Sequence, residues 1–138
     1  MGESFSMEVR NRNEAIGPAM EAAEGWLEEA AAGPKVVYFV NLAIEEIVTN
    51  CINYGYSDER EHIIEIVMRV EDGRLTLRIV DDGDAFDPLA APEPDFSIRV
   101  QDRREGGLGI HLLRNLADHI SYERRDGHNK ITLVKTMV

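Results

Sequence analysis

Two Asp-Gly dipeptides, Asp72-Gly73 and Asp126-Gly127, each stand between two runs that read as strands. Asp-Gly suits the two-residue hairpin turn, whose central positions both need positive φ. The first pair joins residues 62–70 to 74–80, both rich in Ile, Val and Leu. The second joins strands at about 119–125 and 130–137. Two hairpins far apart in one short chain require a sheet with a face to bury, and the segments between them must supply the cover.

Those segments read as helices. Residues 4–10 first alternate, Phe5, Met7 and Val9 against Ser6, Glu8 and Arg10, which predicts a half-buried strand. Asn13 then reads as a cap for an Ala/Glu-rich helix running to about Ala32. Gly33-Pro34 breaks the chain, and Pro34 suits the first turn of a second helix, from about Lys35 to Tyr54 and ending at Gly55. Helical spacing returns at Leu108, Leu112, Leu113 and Leu116. Residues 82–106, with Pro88, Pro92 and Pro94, form a long segment of the kind that compact domains keep for function. The order strand, two helices, hairpin, loop, helix, hairpin predicts an α+β two-layer sandwich. Its sheet is mostly antiparallel and mixed, covered on one face by helices, in a single domain over 1–138.

The formal net charge of −11 excludes a general nucleic-acid binder, which needs a basic surface. Such a chain binds a polyanion only through aimed backbone dipoles, magnesium or a few placed cations, and its field suits a basic protein partner. The lone Cys51 excludes an internal disulfide and a cysteine-based zinc site. No apolar run approaches the roughly 20 residues of a membrane span, and MGESFSMEVRN lacks a signal-peptide core. The expectation is a cytoplasmic protein with no membrane attachment.

Three stretches carry candidate chemistry. On a helical wheel of residues 36–51, Val36, Val40, Ile44, Ile47 and Cys51 form a narrow apolar stripe. Glu46 and Asn50, four apart, lie together on its flank, about 80–120° from its centre at ~100° per residue. Asn53 continues that line, and Glu45 falls toward solvent. An Asn carbonyl is a neutral hard ligand suited to Mg²⁺. A carboxylate one turn earlier can orient or deprotonate an attacking hydroxyl. By spacing alone such a pair is more often an ordinary helix edge. The strand Leu75–Val80 runs into Asp81-Asp82-Gly83, where a carboxylate at a strand end can accept from an exocyclic amine; an acidic turn is the simpler reading. Gly83 permits close backbone approach or positive φ. Gly106-Gly107-Leu108-Gly109 opens the third helix and exposes N–H groups at its positive end, a seat for phosphate or a hinge. No Gly-Lys-Ser/Thr follows, so it is not a Walker loop.

In order, Glu46-xxx-Asn50, Asp81-x-Gly83, a proline-containing loop and Gly107-x-Gly109 resemble the N, G1 and G2 boxes of the Bergerat-type ATPase superfamily. The chain is most similar to the anti-sigma factor serine/threonine kinase family, through IEEIVTNCINYGY at 44–56, DDGDAFDP at 81–88 and GGLGIHLLRNLADHISYERRDGHNKITLVK at 106–135. The resemblance implies the Bergerat fold and an ATP cofactor with Mg²⁺ on Asn50. Glu46 would be the general base, Asp81 the adenine ligand and Gly83 part of its pocket. Residues 82–106 would be the ATP lid, with Gly107 and Gly109 at the phosphates. It extends the nucleotide-binding set to Asn53, Ala85, Phe86, Gly106, Leu108, Ile110 and Thr132. It further implies phosphorylation of a STAS-type anti-sigma antagonist, binding of a sigma factor and possible homodimers. Ala85 stands where many relatives carry Gly. Glu105 stands where characterised kinases often carry a phosphate-contacting Arg, with Arg103 and Arg104 out of register. A nucleotide-gated binding module without kinase activity is the alternative, because phosphoryl transfer needs aimed positive charge.

Overall fold

The computed structural model describes residues 2–90 and 107–137. Five strands, β1 (Glu3–Arg10), β2 (Ile63–Glu71), β3 (Arg74–Asp81), β4 (His119–Arg125) and β5 (His128–Thr136), form one sheet in the order β1-β2-β3-β5-β4. Every pair among them is antiparallel, so no parallel pair makes the sheet mixed. Three helices, α1 (Ile16–Glu29), α2 (Pro34–Tyr54) and α3 (Gly107–Leu116), complete the second layer.

Both hairpins close as their dipeptides predict. Asp72 and Gly73 take φ of 53° and 74°, and Asp126 and Gly127 take 53° and 79°. Glu71 pairs with Arg74 and Arg125 with His128 across the two loops. A two-residue turn therefore returns β5 to the sheet at His128, two positions earlier than expected.

Period-two alternation builds the core. Val9, Ile64, Ile66, Met68, Leu75, Leu77, Ile79, Ile131 and Leu133 point to the helical layer and are buried. Facing them, α2 buries Val36, Phe39, Val40, Ala43, Ile44, Ile47 and Val48. Each such aliphatic side chain withdrawn from water contributes about 1.5–3 kcal/mol before chain entropy is subtracted. Trp26 of α1 packs on Phe5 of β1 with ring centroids 5.7 Å apart. The Lys135 ammonium lies over the Phe39 ring at 5.8 Å and donates to the Leu116 carbonyl at 2.6 Å, pinning the end of α3 to β5.

Three expectations change. Asn13 does not cap α1; it opens a 3₁₀ turn, Asn13–Ala15, and no side chain caps either element. The first helix stops at Glu29 rather than Ala32, because Ala31 turns left-handed at φ 61°. The Ala31 and Ala32 N–H groups then bond back to the Glu28 and Leu27 carbonyls, the paired closure of a Schellman end. Finally, α2 has 21 residues and contains an 18-residue stretch with a mean hydropathy of 1.2, long and apolar enough by length and composition to cross a membrane. Its buried residues belong to the core cluster shared with the sheet and the other helices, which is how a core helix meets the same test.

Candidate functional site

The end of β3 and the C-terminal half of α2 border a narrow cleft that is partly open to solvent. Its lining includes Ile47, Asn50 and Cys51 from α2, Asp81 from β3, Phe86 and Pro88 from the following loop, and Asn129 and Ile131 from β5. Strand parity explains the floor. Ile79 and Asp81 on β3 pair with Ile131 and Asn129 on β5, so the apolar face of the sheet ends in two polar residues. Both are buried, with Asp81 at 6% and Asn129 at 5% exposure.

Buried carboxylates need partners, and Asp81 has three. Its Oδ1 accepts from the Gly83 N–H at 2.9 Å and from Asn129 Nδ2 at 3.0 Å. Its Oδ2 accepts from Cys51 Sγ at 3.2 Å. Burial, and then the neighbouring Asp81 carboxylate, push the Cys51 thiol well above its ordinary pKa. The sulfur therefore keeps its proton and donates. Oδ2 retains acceptor capacity beside the cleft.

Gly83 is needed here for close approach rather than for positive φ. A Cβ on it would run into the Gly55 carbonyl at the end of α2. The adjacent Asp84 N–H donates to that same carbonyl at 2.6 Å, and Arg124 of β4 donates to the Gly83 carbonyl at 2.7 Å. The rim is tied once more by His62. Its Nε2 lies 2.7 Å from Asp58 Oδ1, its Nδ1 lies 3.1 Å from Asp82 Oδ1, and its ring stacks on Tyr56 at 4.4 Å. The hydrogen bond that His62 donates to Asp58 raises the His62 pKa, and the same bond lowers that of Asp58.

One turn before Asn50, outside the cleft lining, α2 meets α3. Glu46 is half-buried and Glu45 exposed, as the wheel requires. The Glu46 carboxyl group lies against Gly109, and any Cβ at Gly109 would overlap it. Glu46 and the first turn of α3 are thereby neighbours, with Asn50 one turn further along α2.

Not every expected residue joins them. Thr132 is a correction: Ile131 and Leu133 face the helices, so Thr132 turns to the opposite face, between Arg78 and Ser121. Ile110 is a core residue at 6% exposure. Asn53 and Ala85 are exposed and outside the cleft lining, and Leu108 is 40% exposed. Phe86 lines the cleft at 37% exposure. Gly106, and the lid expected over 82–106 beyond residue 90, lie outside the described residues. Asn129 is the residue that sequence reasoning missed. Starting β5 at 130 left it in a turn; counting back by twos from Leu133 and Ile131 puts it on the cleft face.

The sequence matches the histidine kinase-like ATPase domain family over residues 9–135. The chain belongs to that family. Among the members similar to it is the serine/threonine-protein kinase BtrW of Bordetella bronchiseptica, 30% identical over 112 residues, with 78% of this chain and 79% of that protein covered. The serine-protein kinase RsbW of Bacillus velezensis is 29% identical over 64% of this chain and 58% of its own length. An anti-sigma F factor of Thermoanaerobacter is 30% identical over 70% of this chain and 65% of its own. These relatives put the chain among the anti-sigma factor kinases of the family. A crystal structure of RsbU and RsbW domains from a Mycobacterium tuberculosis protein shares the fold, with a TM-score of 0.69 at 15% identity, over 98% of this chain and 32% of that one.

Proposed function

We propose that this histidine kinase-like ATPase domain binds Mg·ATP, phosphorylates a serine or threonine of a STAS-type anti-sigma antagonist, and holds a sigma factor in the alternate arm of a partner switch. The observation that carries the reading is the cleft itself. It presents a buried carboxylate with acceptor capacity left, beside apolar walls that suit a purine. Its wall carries Asn50, and one turn earlier on α2 Glu46 packs against Gly109 at the start of α3, whose N–H groups suit phosphate. In this reading Asp81 Oδ2 accepts from the adenine amine, and Ile47, Ile79, Ile131 and Phe86 exclude water around the base. Glu46 accepts the proton of the attacking hydroxyl.

The donor set fits magnesium. Among the described residues no group of three or more His, Cys, Asp or Glu could hold a metal on its own. Mg²⁺ usually takes one or two protein oxygens and completes its shell with phosphates and waters, and Asn50 offers one neutral oxygen on the cleft wall. The ion would supply charge neutralisation at the transferring phosphate. The remainder of the reading has residues 1–138 as one domain with a lid over 82–106, a cytoplasmic location, homodimers, and no direct contact with nucleic acid or membrane.

The test is incubation with labelled ATP, Mg²⁺ and a cognate STAS protein. Label should pass to that protein, and Glu46→Ala should abolish transfer; undiminished transfer by Glu46→Ala would sink the assignment. The second reading, a nucleotide-gated binding module, is favoured by the lining of the cleft, where no described residue is a lysine or arginine. It predicts nucleotide-dependent partner affinity with no phosphate moved.

A further inference from the structure

The Asn129 carboxamide has two donors and two acceptor lone pairs, and all four are used. Nδ2 donates to Asp81 Oδ1 at 3.0 Å and to the Asp84 carbonyl at 2.8 Å. Oδ1 accepts from the Phe86 N–H at 3.3 Å and from the Tyr122 hydroxyl at 2.5 Å. The partners come from the end of β3, from the loop that follows it, and from β4. Turning the amide over would set its oxygen against the Asp81 carboxylate and the Asp84 carbonyl, and its NH₂ against two donors. The orientation is therefore forced by its neighbours.

A saturated amide has nothing left to offer a ligand. Asn129 lines the cleft, yet anything it does for a bound molecule it must do through the groups it holds. Those groups are the carboxylate that faces the cleft and the backbone on either side of Ala85, just before Phe86 enters the lining. Asp81 Oδ1 is occupied by Asn129 and Gly83, which turns Oδ2 to Cys51 and to the cleft. Without Asn129, the carboxylate would keep only the Gly83 and Cys51 tethers and could rotate about its Cβ–Cγ bond.

We infer that Asn129 is the positioning residue of the base pocket: one carboxamide fixes the Asp81 carboxylate and the chain at 84–86 together, so recognition of a 6-amino purine depends on Asn129 without its touching the base. The inference rests on the nucleotide reading above and names how its base selectivity arises. A carboxylate oxygen held in place accepts from a 6-amino group and repels a 6-oxo group. Once free to turn, it loses both effects. The same amide joins base occupancy to the start of the loop, because Asp81 cannot move without moving the acceptor that holds Phe86.

The experiment is calorimetric titration of the whole chain with three Mg²⁺-loaded probes: ATP, purine riboside triphosphate, which lacks the 6-substituent, and inosine triphosphate, which carries a 6-oxo group. The wild type should prefer ATP over purine riboside triphosphate by at least ten-fold, with inosine triphosphate weakest. In Asn129→Leu that preference should fall to within about two-fold, while affinity for purine riboside triphosphate changes little. Asp81→Asn added to Asn129→Leu should cost no further selectivity. A purely structural role for Asn129 would weaken all three probes alike and leave the ratios intact, and that result overturns the inference. Should Asn129→Leu not fold, Tyr122→Phe decides by the same ratio: a two- to three-fold fall supports the inference and an unchanged ratio overturns it. Absence of ATP binding by the wild type removes the nucleotide reading itself and this inference with it. An ATP preference that survives loss of Asn129 removes the inference alone.

Discussion

The Asp81 cleft and the contact of Glu46 with α3 are built by different means. At the Asp81 end the chain fills space with hydrogen bonds: Cys51, Gly83 and Asn129 converge on one carboxylate, and Asn129 has no valence to spare. At the Glu46 contact the chain removes an atom instead, because Gly109 omits the Cβ that would occupy the place of the Glu46 carboxyl. A saturated polar network gives one geometry and tolerates little change in any member. A contact created by a missing methyl group instead depends on one position staying glycine. On the proposed nucleotide reading, the networked carboxylate would meet the purine and the glycine contact would lie toward the phosphates.

The steric end should break hardest. Gly→Ala inside an exposed helix normally gains about 1 kcal/mol. Gly109→Ala should instead lose roughly 1–3 kcal/mol, as overpacked sites do, measured by urea unfolding. In a Glu46→Ala background most of that loss should vanish. A stabilised Gly109→Ala single variant would show that the close packing of Glu46 on α3 is wrong.

How far the sequence announced this site follows from which signals are local. The hairpins were legible because Asp-Gly acts through its own backbone, and Glu46 over Glu45 was legible because a helix face is set by nearest turns. Asn129 was not legible, since its role depends on strand register across β3 and β5 and on a two-residue turn that begins the strand early. Thr132 was misplaced through the same register, one residue from a position that faces the cleft. The reason for glycine at 83 was also non-local: the atom it makes room for belongs to Gly55, at the far end of α2.

A smaller effect probes the polar end. Cys51→Ala removes one of three donors to Asp81 and should lower ATP affinity by about 1 kcal/mol, roughly five-fold. Cys51→Ser, which keeps a donor, should stay within about two-fold by the same reasoning. Equal losses in the two variants would mean that the thiol acts by volume and not by its proton.

The smallest effect concerns the rim. His62 has a raised pKa in the folded chain, so its contribution is complete below its ordinary value of 6.5 and is lost as pH rises through the raised value. Asp58 has a lowered pKa, so its contribution is present above 3.8 and is lost as pH falls through the lowered value. The difference in melting temperature between wild type and His62→Gln should therefore be largest between pH 3.8 and 6.5 and shrink above that window. A gap that does not vary with pH would dismiss the clasp of Asp58, His62 and Asp82.

The central claim is that the Asp81 end of the cleft holds a purine nucleotide, and calorimetric titration with Mg·ATP tests it most directly. The wild type should bind one equivalent per chain. Asp81→Asn should weaken binding by at least about ten-fold, the worth of a hydrogen bond to a charged group, with magnesium present or absent. Asn50→Ala should weaken binding only when magnesium is present. Undiminished affinity in Asp81→Asn, or no heat from the wild type, would contradict the account.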